Sequence, residues 1–85
     1  MMNQTTVDCY VCERLAVTNH EPLMGSKYRQ LSIDYNLRIP VCAECHKKMH
    51  DDADFNEIYQ KEMQRRFEEG FDHATWMKIF GRNYL

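Results

Sequence analysis

The sequence predicts an α+β fold, and three observations carry that expectation. Two Cys-x-x-Cys pairs, Cys9/Cys12 and Cys42/Cys45, stand far apart in the chain. Just before the second pair, "LRIPVC" alternates, with Leu37, Ile39 and Val41 on one side of an extended segment and Arg38 and Pro40 on the other. Beyond it, Phe55, Ile58, Tyr59, Met63 and Phe67 recur at helical spacing. The 85 residues make one domain, 1–85. A chain this short buries only about 60% of the surface its unfolded form exposes, so it needs a staple.

Taken in order, "CYVCERLAV" reads as a knuckle leading into a short strand, which "VTNHEP" extends until Pro22 ends it. Residues 23–36, "LMGSKYRQLSIDYN", read as a loop with room for one helical turn. Pro40 lacks an N–H, so "LRIPVC" is an edge strand or a strand's end. "CAECHKKMHD" holds good helix formers and no breaker. Asp54, with Glu57 three residues on, resembles a capping box for the next helix, and Gly70 suits the position after its end. "DHATWMKIFG" predicts a last short helix, capped by Asp72 and stopped by Gly81, with Trp76, Ile79 and Phe80 as core anchors.

A Cys-x-x-Cys pair sets two sulfurs at adjacent corners of a tetrahedron around Zn²⁺, and a second pair completes it. The wide gap between Cys12 and Cys42 suits a first knuckle on a hairpin and a second at a helix start, the treble-clef arrangement. One structural zinc would then supply the staple. A site of three cysteines and one histidine is the alternative. The N-terminal "MMNQTTVDCY" has neither the basic start nor the apolar stretch of a signal peptide, and no apolar run is long enough to span a membrane. The expectation is a cytoplasmic chain, where cysteines bind metal more readily than they form disulfides.

The formal net charge is −2, and zinc on four thiolates would add two more negative charges. That balance argues against an obligate nucleic-acid binder. The distribution is uneven, however. Lys27, Arg29, Arg38, Lys47 and Lys48 cluster in residues 26–48 against Asp34 and Glu44, whereas the later acids run from Asp51 to Asp72. A local basic face near the second cysteine pair is therefore compatible with salt-sensitive phosphate contacts.

If zinc takes four sulfurs, the histidines are left over. His46 and His50 are one helical turn apart on one face, a spacing that lets two imidazoles chelate one ion. His20 lies on the extended segment before the loop, and His73 reads as a surface residue of the last helix. "HEPLM" begins like a zinc-protease helix but lacks the second histidine, and Pro22 spoils a helix there.

A Cys-x-x-Cys knuckle, an extended segment with a histidine, a second strand and then "CAECHKKMH" on a helix resemble the HNH endonucleases, whose site is a ββα-metal fold. The resemblance spans residues 9–50 and leaves 54–85 as a helical extension. The tail "RRFEEGFDHATWMKIFGRNYL" is similar to small phage-encoded proteins of that superfamily, which implies a bacterial cell, or a host cell during phage infection. The resemblance implies His20 as general base and His46 and His50 as ligands of a catalytic divalent ion: Mg²⁺, Mn²⁺ or Ni²⁺. It also implies Cys9, Cys12, Cys42 and Cys45 as ligands of a structural Zn²⁺. Asn19 stands where the family has a His or Asp ligand, and Glu21 is the substitute on the same strand face. Asn36 is the nearest match to the family's middle asparagine, which holds the base-bearing loop, but it lies one residue further from Cys42 than the family's spacing.

The implied activity is metal-dependent hydrolysis of phosphodiester bonds in DNA. Lys27, Arg29, Lys47 and Lys48 would contact the backbone and so confer little sequence specificity. The alternative is a catalytically inactive HNH-like zinc protein that docks its acidic, aromatic C-terminal helices on a host protein or nucleic-acid enzyme.

Overall fold

A computed structural model describes residues 7–85; the N-terminal reading and the first six positions of the single domain lie outside the described residues. Among the described residues, four helices and a two-stranded antiparallel sheet make up an α+β fold. In chain order they are β1 (Thr18–His20), α1 (Ser26–Asp34), β2 (Ile39–Val41), α2 (Ala43–Asp51), α3 (Ala53–Glu68) and α4 (His73–Phe80).

Ahead of β1, residues 8–15 turn back on themselves. Asp8 bridges Leu15, and the N–H of Glu13 donates to the Cys9 carbonyl. Glu13 takes φ 67°, the left-handed conformation that closes this knuckle. β1 and β2 pair with Thr18 opposite Val41, Asn19 opposite Pro40 and His20 opposite Ile39. Pro40 cannot donate, but its carbonyl accepts from the Tyr10 N–H at 2.7 Å, tying the knuckle to the sheet. The alternation expected of "LRIPVC" is present: Leu37, Ile39 and Val41 are fully buried.

The sequence reading of residues 23–36 as a loop is corrected by α1. Tyr28, Leu31 and Tyr35 pack against the core from one side of that helix, and the Tyr28 hydroxyl donates to the Phe80 carbonyl at 2.9 Å. No side chain caps the start of α1; Gly25 stands there at φ 112°, a conformation that favours glycine.

Two details of α3 also differ from expectation. Its N-cap is Asp52, whose carboxylate accepts from the Phe55 N–H at 3.1 Å, so the helix starts ahead of the capping box expected at Asp54. Ile58 is 53% exposed, because the buried stripe of α3 runs through Asn56, Met63, Gln64 and Phe67. Asp72 caps α4 by accepting from the Thr75 N–H at 2.8 Å, and Gly81 ends it at φ 73°. Gly70 follows α3 without a positive φ.

Trp76 stacks on Phe80 with ring centroids 4.0 Å apart, and both pack on Phe67. The last residues are held by Gln64, which is fully buried. Its Oε1 accepts from the Tyr84 N–H at 2.7 Å, and its Nε2 donates to Asn83 Oδ1 at 2.8 Å. Trp76 Nε1 donates to the Arg82 carbonyl at 2.7 Å. The "FGRNYL" tail is thus a packed end of the core. Among the described residues, no helix is long and apolar enough to cross a membrane.

Candidate metal centres

Among the described residues two groups of ligand atoms form, and both draw on α2. Cys9, Cys12, Cys42 and Cys45 make one; His20, His46 and His50 make the other. Within each group the ligand atoms lie within 4.8 Å of one another.

The cysteine group joins the knuckle to the start of α2. Cys42 is the N-cap of that helix, and its Sγ accepts from the Cys45 N–H at 3.4 Å. The Val11 N–H points to Cys9 Sγ at 3.5 Å. Helix N-termini and N–H donors favour the anionic sulfur. Burial opposes ionisation of Cys9, yet the N–H groups of Cys12, Cys42 and Val11 bring its pKa down to about 6. Burial, reinforced by the sulfurs of Cys42, Cys12 and Cys9, pushes Cys45 up to about 12. Crowded thiolates repel, and a divalent cation at their centre would let all four ionise together.

The donor set fits such an ion. A tetrahedral site with bonds of about 2.3 Å puts its sulfurs roughly 3.8 Å apart; Cys12 Sγ and Cys42 Sγ are 3.6 Å apart. Four clustered sulfurs can hold a metal ion, and the set is compatible with structural zinc. The alternative of three cysteines with a histidine does not match this grouping, which contains four sulfurs and no imidazole.

The histidine group forms where β1 meets α2. His46 Nε2 and His50 Nε2 are 3.1 Å apart, close to the separation of two adjacent nitrogens on one metal, about 3 Å. The ring of His20 lies 5.2 Å from that of His46 and 5.3 Å from that of His50. All three face a cavity of about 450 Å³, also lined by Asn19, Glu21, Leu23, Met24, Gly25, Ser26 and Arg29. Burial holds the His20 pKa below the usual imidazole value; a hydrogen bond to Asn56 opposes the shift, and His46 and His50 add to it. His46 is lowered too, by burial and then by His50. Neutral imidazoles are the form that binds metal or accepts a proton.

Of the other site residues expected from sequence, Asn19 and Glu21 line the cavity, but Glu21 does not join the group of ligand atoms. Arg29 lines it as well. Lys27, Lys47 and Lys48 do not. The Lys27 ammonium lies over the Tyr28 ring, Lys47 pairs with Asp51, and Lys48 sits 4.4 Å from the Phe55 ring centroid. Asn36 is exposed at φ 56° after α1, and its carbonyl accepts from Arg66 Nη1 at 2.8 Å. It is not part of the cavity wall, and among the described residues no side-chain hydrogen bond joins it to the segment around His20.

That contact belongs to Asn56, which sequence reasoning missed. Asn56 is buried on α3; its Oδ1 lies 2.7 Å from His20 Nε2, and its Nδ2 donates to the Pro22 carbonyl at 3.1 Å. Gln60, one turn on, donates to the same carbonyl at 3.1 Å. The i, i+4 spacing of two amides on an apolar stripe was the available signal. No protein-family model matches the chain, nor does any curated protein or solved structure.

Proposed function

We propose that this chain is a metal-dependent phosphodiesterase of the HNH endonuclease type acting on DNA. In this reading the knuckle, β1, β2 and α2 form a ββα-metal core, the four cysteines bind one structural zinc in a treble-clef arrangement, and α3 and α4 extend the core. One observation carries it: three histidines from β1 and α2 converge on an open cavity, apart from the cysteine group. An arginine on the cavity wall supports an anionic substrate.

A divalent cation held by His46 and His50 would neutralise negative charge developing on the phosphate oxygens. His20, neutral and buried at the cavity edge, is suited to take a proton from the attacking water. Arg29 is suited to hold a phosphate by charge-assisted hydrogen bonds. With one arginine on the wall, and Lys47 and Lys48 turned to other partners, contacts would fall on the backbone and leave sequence unread. A cell interior, bacterial or phage-infected, is the setting this reading implies.

The reading is tested by incubating the chain with supercoiled plasmid and Mg²⁺, Mn²⁺ or Ni²⁺, with His20→Ala as control. Metal-dependent nicking or linearisation that His20→Ala abolishes upholds it. Wild-type protein that cuts nothing with any of the three ions overturns it in favour of a catalytically inactive zinc protein. For that second reading, Phe67, Trp76 and Phe80 are buried in the core, so the C-terminal helices would offer a partner mainly polar surface, with Ile58 and Phe71 among the exposed apolar groups.

A further inference from the structure

We infer that Asn56 is a positioning residue that fixes the tautomer of His20, leaving Nδ1 as the ring nitrogen with a free lone pair. Its consequence for catalysis rests on the proposed phosphodiesterase, whereas the tautomer is a property of the resting protein. The Pro22 carbonyl can only accept. It receives Nδ2 of Asn56 and Nε2 of Gln60, each at 3.1 Å. Rotating the Asn56 amide by half a turn would set its oxygen against that carbonyl oxygen. The amide orientation is therefore determined, and Oδ1 faces His20 Nε2 at 2.7 Å. An amide oxygen only accepts, so Nε2 must carry the hydrogen. A neutral imidazole bears one N–H, which leaves Nδ1 unprotonated.

Burial makes the assignment firm. His20 is 2% exposed and Asn56 4%, so water has little access to rescue the opposite tautomer, in which two lone pairs would meet. The same contact joins the helical extension to the candidate site: α3 grips both the His20 ring and the chain just after it. A general base or metal ligand works only with its lone pair aimed, and a neighbour that dictates which nitrogen is free sets that aim.

The test uses the full chain with ¹⁵N-labelled histidine, the His20 signals being assigned by their loss in His20→Gln. The expected result is one tautomer, with an Nε2–H proton protected from solvent exchange and an unprotonated Nδ1. Asn56→Asp gives up the donor to Pro22, where Gln60 remains, but keeps an acceptor facing His20, so it should keep that tautomer and move the Nε2–H proton further downfield. Asn56→Leu should lose the protected proton and mix tautomers. If the chain cuts DNA, Asn56→Leu should also lower kcat by about 10–100-fold with KM little changed. A wild-type His20 protonated on Nδ1 overturns the inference. So does a folded Asn56→Leu that keeps the protected proton, or an Asn56→Asp that shifts nothing; if Asn56→Leu does not fold, wild type and Asn56→Asp decide between them. A chain with the expected tautomer that cuts no DNA upholds the assignment and overturns only the phosphodiesterase reading.

Discussion

Cys42 caps α2 and Cys45 sits in its first turn, with His46 and His50 following on the same helix, yet the two groups are enclosed differently. The cysteines come from two chain segments, and two of them, Cys9 and Cys42, are buried. Four sulfurs around one ion would complete a tetrahedron and leave no position for a substrate. The histidines supply three nitrogens to a cavity of about 450 Å³, so an ion there would keep open positions. Closed sites hold structure together, and open sites do chemistry. One short helix can serve both because neighbouring residues on it point about 100° apart, so adjacent positions face different partners.

The largest effect should come from breaking the closed site. Cys42→Ser, or a strong chelator, should unfold the chain, because structural zinc contributes about 10–16 kcal/mol of apparent binding energy in small domains. Far-UV circular dichroism with elemental analysis reads it, and a metal-free chain that stays folded would erase the distinction between the two groups. Next comes the open site. His20→Ala should lower cleavage by about 10²–10⁴-fold, with no rescue by added metal. His50→Ala should lose activity through metal affinity and recover partly in excess Mn²⁺. Because His20 is buried, His20→Ala leaves Asn56 Oδ1 without a partner and should also cost about 1–3 kcal/mol in urea unfolding.

The sequence made the two groups legible unevenly. Cys-x-x-Cys pairs declare themselves, because two ligands three apart have few other uses at that spacing. His46 and His50 were readable as a pair because one helical turn sets them on the same face, and His20 through the strand position it shares with the HNH resemblance. Asn56 was not: it is distant in sequence from His20 and looks like a surface residue of a charged helix. Counting only apolar residues rotated the predicted face of α3, placing Ile58 inward, because Asn56 and Gln64 occupy buried positions that an apolar count ignores. α1 was lost because no side chain caps it and Ser32 is its one fully buried residue. The choice of Asp54 over Asp52 as cap shows the limit of local signals where several aspartates stand together.

At residues that supply no ligand atom, smaller effects should follow. Gln64→Ala removes the partner of Tyr84 and Asn83 and should cost about 1–3 kcal/mol, without changing the metal content of either site. If it altered metal content, the tail and the metal groups would not be independent. The smallest effect should be Arg14→Ala. Arg14 pairs with Glu44 across the two knuckles, but both side chains are mostly exposed, so chemical denaturation should shift by no more than about 1 kcal/mol.

The central claim is that α2 carries ligands of two separate metal sites, and a Co²⁺ titration of the metal-free chain, followed by absorption, tests it most directly. The first equivalent should produce an intense sulfur-to-cobalt charge-transfer band with tetrahedral features, unchanged when both His46 and His50 are replaced by alanine. A second, weaker equivalent should add absorption without sulfur character and vanish in that double variant. A single equivalent whose sulfur band changes when the histidines are replaced would contradict the account, because it would mean one mixed site of cysteine and histidine.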